Sequence, residues 1–303
     1  MFEMILSTLQ NLIDGGSVYG YLLPVYVGLL GSERLAHALF EKRVVWNNAE
    51  AASNIALTLV FLGLGVLIGH ILPLGLMVIL YEHFHLFELG DGVVAWVLVF
   101  LLYDLAWYVD HRIAHRTGLF WAMHHVHHSC PEYNMTVASR GFLLDSTMLS
   151  RPTFYLLPVI GVAPEQYIMM SIATNIWGIA QHTRMVGKLG VLDQIFATPS
   201  SHRVHHGADQ LYIDRNYGEV LMVWDQLFGT FQAEEHEPTY GVTVPIETVN
   251  PFRIQAAGVS WLVGKMRRAR TPLDALLCLA KPPEWEPPDL EVRRGLTTST
   301  VRR

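Results

Sequence analysis

HRIAHRTGLFWAMHHVHH, His111 to His128, holds six histidines in 18 residues, and their spacing decides how the chain is read. His111 and His115 are four apart, so at 3.6 residues per turn they lie ~40° apart on one helix face. His124, His127 and His128 form H-x-x-H-H, whose members fall within ~100° of arc on a helix. The same spacing returns as His202, His205 and His206 in SHRVHH. His125 lies outside the arc of its neighbours and is left out of the set. Eight imidazoles on three short faces exceed what one ion uses, because zinc takes about four ligands and a catalytic zinc about three from protein. The count points to two metals, and imidazole suits zinc, copper, iron and nickel. Isolated histidines such as His37, His70 and His236 carry no such signal.

Working outward, Asp104 lies seven residues before His111 and eleven before His115, which on a continuous helix keeps all three within ~20–40° of one another. An acid inside an apolar run is expensive and points to function. The spacing predicts that Asp104 accepts the ring N–H of a ligand histidine and fixes its tautomer. A carboxylate reaching a headgroup or a neighbouring tyrosine is the alternative.

The surroundings are greasy. Hydrophobic residues make up 51% of the 303 and charged residues 16%, against about 25% charged in ordinary globular proteins. Disorder is excluded by the hydrophobicity. Nucleic-acid binding by bulk charge is excluded by the net charge of −6, since phosphate binders need an excess of Lys and Arg. Cys130 and Cys278 are too few for a disulfide framework.

A spanning helix needs ~20 mostly apolar residues. Val18–Gly31 (extended by Gly15 and Gly16), Ser53–Gly69, Val93–Val109 and Phe154–Ala180 approach that length, and Pro158 and Pro164 divide the last into two shorter helices. Ile71–Leu80 reads as a re-entrant segment or the start of a helix running to Leu89. The first 16 residues lack a basic n-region and include Glu3 and Asp14, so no cleavable leader is expected. Arg34, Lys42, Arg43, Arg112, Arg116, Lys265, Arg267, Arg268 and Arg270 belong on the cytoplasmic side by the positive-inside tendency. That tendency demands an even number of crossings between Arg43 and Arg112. Val263 to Asp289 is basic, then amphipathic, then proline-rich; it suits a helix on anionic headgroups with a peripheral end, or a solvated surface. Three segments follow: 1–92 as membrane-anchoring helices, 93–250 as the histidine-rich di-metal core, and 251–303 as a basic amphipathic tail.

Other chemistries lack their parts. There is no H-E-x-x-H, no G-x-S-x-G, no G-x-G-x-x-G and no C-x-x-C-H, so a metalloprotease, a serine hydrolase, a dinucleotide enzyme and a c-type haem protein all lose their anchor.

Taken together, YDLAWYVDHRIAHRTGLFWAMHHVHHSCPEYN (Tyr103–Asn134), ATPSSHRVHHGADQLYIDRNYG (Ala197–Gly218) and LMVWDQLFGTFQAEEHEPTYGVT (Leu221–Thr243) resemble the fatty acid hydroxylase and sterol desaturase superfamily. The match is best with its alkylglycerol monooxygenase branch. The resemblance covers about half the chain, and its combined motif is specific where one H-x-x-H-H is not. It implies two iron ions (Fe2+) held by His111, His115, His124, His127, His128, His202, His205 and His206, with His182 in IAQHTR as a further ligand. Members often carry another histidine directly before the last box, where this chain has Ser201. Glu132 and Asn134 match the branch's PEYN; a structural role, as a turn and helix start after Pro131, is the alternative. Asn216 and Asp225 are expected to order the loops beside the last box. These four and Asp104 complete the candidate catalytic set.

The resemblance implies an all-α integral membrane bundle with a histidine-rich di-metal helical cap on its cytoplasmic side. It implies a membrane diiron monooxygenase that hydroxylates a C–H bond of a lipid with O2, at the ether-bearing carbon if the substrate is an alkylglycerol. Two ferrous ions supply electrons to cleave O–O while the protein provides ligation and geometry. Further electrons come from tetrahydrobiopterin or an electron-transfer partner. A lipid or sterol desaturase is the nearest alternative. A divalent-metal transporter or sensor, from another class, would spread ligands near the midplane of its spans, whereas these boxes follow or lie between the apolar runs.

Overall fold

The protein is described from a computed structural model, which covers residues 18–40, 46–64, 73–143 and 149–287. Gly15, Gly16, Lys42, Arg43, the end of the Ser53–Gly69 run, the start of Ile71–Leu80 and the last part of the tail lie outside these residues. The described chain is all helical: α1 Val18–Phe40, α2 Asn48–Leu64, α3 Gly75–Phe84, α4 Val93–Arg116, α5 Gly118–His128, α6 Leu156–Ile160, α7 Pro164–Gln181, α8 Leu192–Ile195, α9 Pro199–His205, α10 Val223–Leu227, α11 Pro251–Arg268 and α12 Pro272–Ala280. Two isolated antiparallel bridges, Phe196 with Leu221 and Gly207 with Tyr240, tie loops together.

α4 is the axis of the fold. Its sequence has neither proline nor glycine for 24 residues, and among the described residues it is the one helix long and apolar enough to cross a membrane. The Val18–Gly31 run lies in the longer α1, and α2 ends at Leu64. Phe154–Ala180 is indeed divided, with a 3-10 turn and α6 before α7. Gly161 turns the chain at φ 123°, where a Cβ would lie 2.1 Å from the Phe87 carbonyl oxygen. Pro164 then opens α7, and the Gln166 side chain accepts the Ala163 N–H at 3.0 Å. α3 stops at Phe84 rather than running to Leu89.

Burial of Met77, Val99, Tyr103, Ala106, Phe154, Leu157, Val162 and Tyr167 joins α3, α4, α6 and α7 into one core. A single extended residue, Thr117 (φ −136°, ψ 137°), separates α4 from α5. α5 is held from behind by two smaller clusters: Leu57, Val126 and Ile254, and Ala122, Leu262 and Cys278.

The basic amphipathic tail departs from expectation. α11 packs on α5 so closely that a Cβ at Gly258 would lie 2.0 Å from the Ala122 carbonyl oxygen, and one at Gly118 would lie 2.0 Å from that of Cys278 in α12. Lys265, expected at headgroups, is 2% exposed and donates to the Pro283 carbonyl at 2.7 Å. Glycine at both crossing points lets backbones meet, so one face of the described part of the tail buttresses the histidine helix, while Arg267, Arg268 and Arg270 stay exposed.

Candidate metal centre

The site is built from α4, α5, the end of α7, and α9, and all nine histidines expected as ligands come together there. They form two groups, each with its candidate ligand atoms within 4.8 Å of one another: His111, His115, His124, His128 and His205, and His127, His182, His202 and His206. His125 belongs to neither; its ring stands edge-on to Trp121. Each H-x-x-H-H box serves both groups. α5 gives its i, i+4 pair, His124 and His128, to the first group and His127 to the second. α9 and the residue after it give His202 and His206 to the second and His205 to the first. His111 and His115 on α4 complete one group; His182, just beyond α7, completes the other.

The Nε2 atoms face inward. In the first group they lie 3.1 Å apart for His111 and His124, 3.2 Å for His115 and His128, 3.1 Å for His124 and His128, and 3.1 Å for His128 and His205. In the second, His182 Nε2 is 3.3, 3.2 and 3.1 Å from those of His127, His206 and His202. Two nitrogens bound ~2.0–2.1 Å from a shared ion, at angles of about 90–110°, are ~2.9–3.4 Å apart.

The opposite ring nitrogens of three histidines fix which form those rings take. His111 Nδ1 donates to the Tyr217 carbonyl at 2.9 Å, His205 Nδ1 to that of Arg215 at 3.0 Å, and His182 Nδ1 to that of Gly178 at 2.7 Å. A neutral ring whose Nδ1 carries the proton has a lone pair on Nε2. Lone pairs converging at such distances call for a cation, so the clusters fit a metal site. Burial, and then the neighbouring imidazoles, holds His124, His127, His128, His202, His205 and His206 well below the usual histidine range. Burial takes His182 down to about 4. Neutral imidazole is the ligating form.

The remaining sequence candidates hold backbone rather than histidine. Asp104 corrects the expectation drawn from helix spacing: its carboxylate accepts the N–H groups of Val220 (2.9 Å) and Leu221 (3.2 Å) and of the Trp224 indole (2.9 Å), and among the described residues it bonds no histidine. The 217–224 loop folds against that face of α4, and its three donors satisfy the acid. Asp225 accepts from the backbone of Tyr217 and Gly218, each at 2.8 Å, and from Thr230 Oγ1 at 2.6 Å. Together the two aspartates fix the loop whose Tyr217 carbonyl orients His111. Asn216 bonds the Ser201 and Gln232 carbonyls at 3.0 and 2.8 Å. It and Asp214 adopt left-handed backbone, φ 57° and 60°, a region Asn and Asp tolerate, and between them Arg215 presents its carbonyl to His205. Glu132 accepts the Asn47 N–H at 2.9 Å. Asn134 accepts from Thr136 N at 3.1 Å, capping a 3-10 turn.

Sequence reasoning missed Asp214, whose Oδ1 is 3.5 Å from His115 Nδ1 while its other oxygen pairs with Arg116. Ser201, in the place of the additional histidine, serves the backbone instead, since its Oγ accepts the Thr198 N–H at 2.7 Å and closes a reciprocal cap on α9.

Both histidine groups open on a cavity of about 260 Å³, whose wall includes His111 and His124 from one group and His127, His182 and His202 from the other. Leu23, Tyr26, Trp107 and Ile179 line its apolar part.

Residues 96–230 match the family model described as fatty acid hydroxylase. Among named relatives, the chain is 37% identical to alkylglycerol monooxygenase of Homo sapiens over 177 residues, 58% of this chain and 39% of that protein. It is 29% identical to the ornithine lipid hydroxylase OlsE of Rhizobium tropici over 164 residues, 53% of this chain and 49% of the relative. It is 28% identical to the Delta(7)-sterol 5(6)-desaturase of Eremothecium gossypii over 146 residues, 46% and 38% of the two. The chain thus spans less than half the length of these relatives. No solved structure matches it.

Proposed function

We propose that the protein is a membrane-bound, O2-dependent diiron oxygenase that hydroxylates a C–H bond of a lipid, the ether-bearing carbon when the lipid is an alkylglycerol. The observation that carries this reading is the pair of adjacent imidazole groups opening together on one largely apolar cavity. Five histidines would hold one iron ion and four the other, and this all-nitrogen set of neutral ligands leaves the centre cationic. When bound, the iron pair supplies the electrons that reduce O2. The chain's own part is to fix the rings of His111, His115, His182 and His205 by their Nδ1 partners, to exclude water by burial, and to lay an alkyl chain along Leu23, Tyr26, Trp107 and Ile179 beside the histidines.

The external electron source is tetrahydrobiopterin, by likeness to the alkylglycerol branch, or a protein donor. The bundle spans a membrane through α4 at least, with the histidines on its cytoplasmic side, and the divisions 1–92, 93–250 and 251–303 mark anchor, oxygenase core and tail. The sterol desaturase match gives a second reading, in which the same site removes two hydrogens.

Metal analysis of purified protein, with product identification from lipids supplied with O2 and each reductant, tests these statements together. His127→Ala and His205→Ala should each lose bound iron and turnover while still inserting into membranes. Wild-type iron content and oxygen-dependent activity in either variant would refute the ligand assignment. An alkene in place of an alcohol or its breakdown product would establish the desaturase.

A further inference from the structure

Two chargeable side chains outside the histidine groups reach the same cavity without meeting each other. Glu219, 5% exposed, lines it from the loop before α10. Its backbone is fixed, because its carbonyl accepts Gln181 Nε2 at 2.6 Å. α7 is notched to admit the carboxyl: a Cβ at Gly178 would lie 2.9 Å from Glu219 Oε1. Among the described residues no donor reaches that carboxyl, and burial pushes it up to about 8 against the opposing pull of the Arg151 charge across the cavity.

Arg151 enters from the chain before α6. Its guanidinium lies 4.2 Å from the centre of the Trp107 ring and lines both the main cavity and a smaller pocket beside it. Among the described residues none of its donors is bonded, and the nearby Asp110 carboxylate instead receives the Thr153 N–H at 3.1 Å. A guanidinium offers about five donors in a fixed plane. Leaving such groups unpaired in a low-dielectric cavity is costly, and a ligand that pairs them recovers that cost.

We propose that Glu219 and Arg151 form a head-group subsite, selecting lipids whose polar head carries both a donor for the carboxyl and an acceptor for the guanidinium. The subsite thereby sets which carbon of the attached chain lies against the histidines. This rests on the oxygenase reading above. A glycerol diol and an amino-acid head both present the required pair of groups.

The test compares a 1-O-alkylglycerol, an ornithine lipid and an alkyl methyl ether of equal chain length. Binding of each is measured to iron-free protein, and kcat and KM to the iron-loaded enzyme. Arg151→Leu should weaken binding of the two head-bearing lipids about 10–100-fold, the range for a hydrogen bond to a charged partner, and Glu219→Leu about 2–10-fold, that for a neutral one. The headless ether should change far less, and KM should carry the effect in preference to kcat. Glu219→Gln, which keeps size and hydrogen bonding, guards against misfolding. It should spare the diol and weaken the ornithine lipid if an ammonium is the natural partner, and spare both if a hydroxyl is. Equal weakening of all three lipids, or no head preference in the wild type, would overturn the subsite. Head-dependent binding without iron or turnover would instead sink the oxygenase reading and leave the subsite standing.

Discussion

Gly258→Ala should damage the histidine centre from a distance. The new Cβ would lie 2.0 Å from the Ala122 carbonyl oxygen, 2.8 Å from its carbon and 3.1 Å from its Cα, all backbone atoms of α5. Reaching even the shortest contacts real side chains make requires α11 to back away by ~1 Å, and overpacking of this kind costs about 1–3 kcal/mol. Alanine's better helix propensity returns about 1 kcal/mol. The clash wins, because no flexible side chain can yield, and separation also loosens Ile254 from Leu57 and Val126. A net loss of about 1 kcal/mol corresponds to a fall of ~2–4 °C in midpoint for a domain of some 200 residues. α5 carries His124, His127 and His128, so iron retention on heating should fall in step. Gly264→Ala is the control on the same helix: its Cβ would meet only the tip of Arg268 at 3.8 Å, so a gain of up to about 1 kcal/mol is expected. Thermal melts in detergent, with iron measured after each heating step, read both. If Gly258→Ala melted at or above wild type with full iron, the packing of α11 on α5 would be refuted.

Two further outcomes follow from the supports of the rings. Asp214→Asn should weaken iron binding by the group containing His115 about 10–100-fold, as loss of a ligand's hydrogen-bond partner does, and leave the His182 group loaded; equal occupancy of both groups by titration with a chelator would contradict it. The pH dependence has a definite sign: folded histidines held below their unfolded value of 6.5 refuse protons that the unfolded chain accepts. Stability of iron-free protein is therefore present above about pH 6.5 and lost as pH falls toward the value of about 4 reached by His182. A melting temperature flat between pH 7.5 and pH 5 would show that the rings are not buried neutral.

Much of this site was legible because histidine at helical spacing is a local signal. H-x-x-H-H places three rings on one side of any helix, whatever surrounds it, and nine of the fifteen histidines announced themselves this way or by resemblance. Which ring joins which group was not legible, since it depends on how α5 and α9 cross. Asp104 failed for a related reason: spacing along α4 puts it on the histidine face, but its partners arrive from Val220 to Trp224, more than 100 residues away. The carbonyls of Gly178, Arg215 and Tyr217 left no trace, because any residue type offers the same oxygen. The docking of α11 and α12 was hidden in Gly118 and Gly258, which read as weak points in a helix until the backbones they admit are seen.

The division of neighbouring rings between the two groups has one more consequence. His127 and His128 are consecutive, as are His205 and His206, and within each pair the ring centroids stand 5.4 Å apart. Two independent stretches of chain therefore impose the same gauge on the two ions through bonded geometry alone. Loosening the bundle should empty the positions before it alters their separation, whereas inserting one residue inside either doublet would turn the second histidine about 100° round its helix and out of its group.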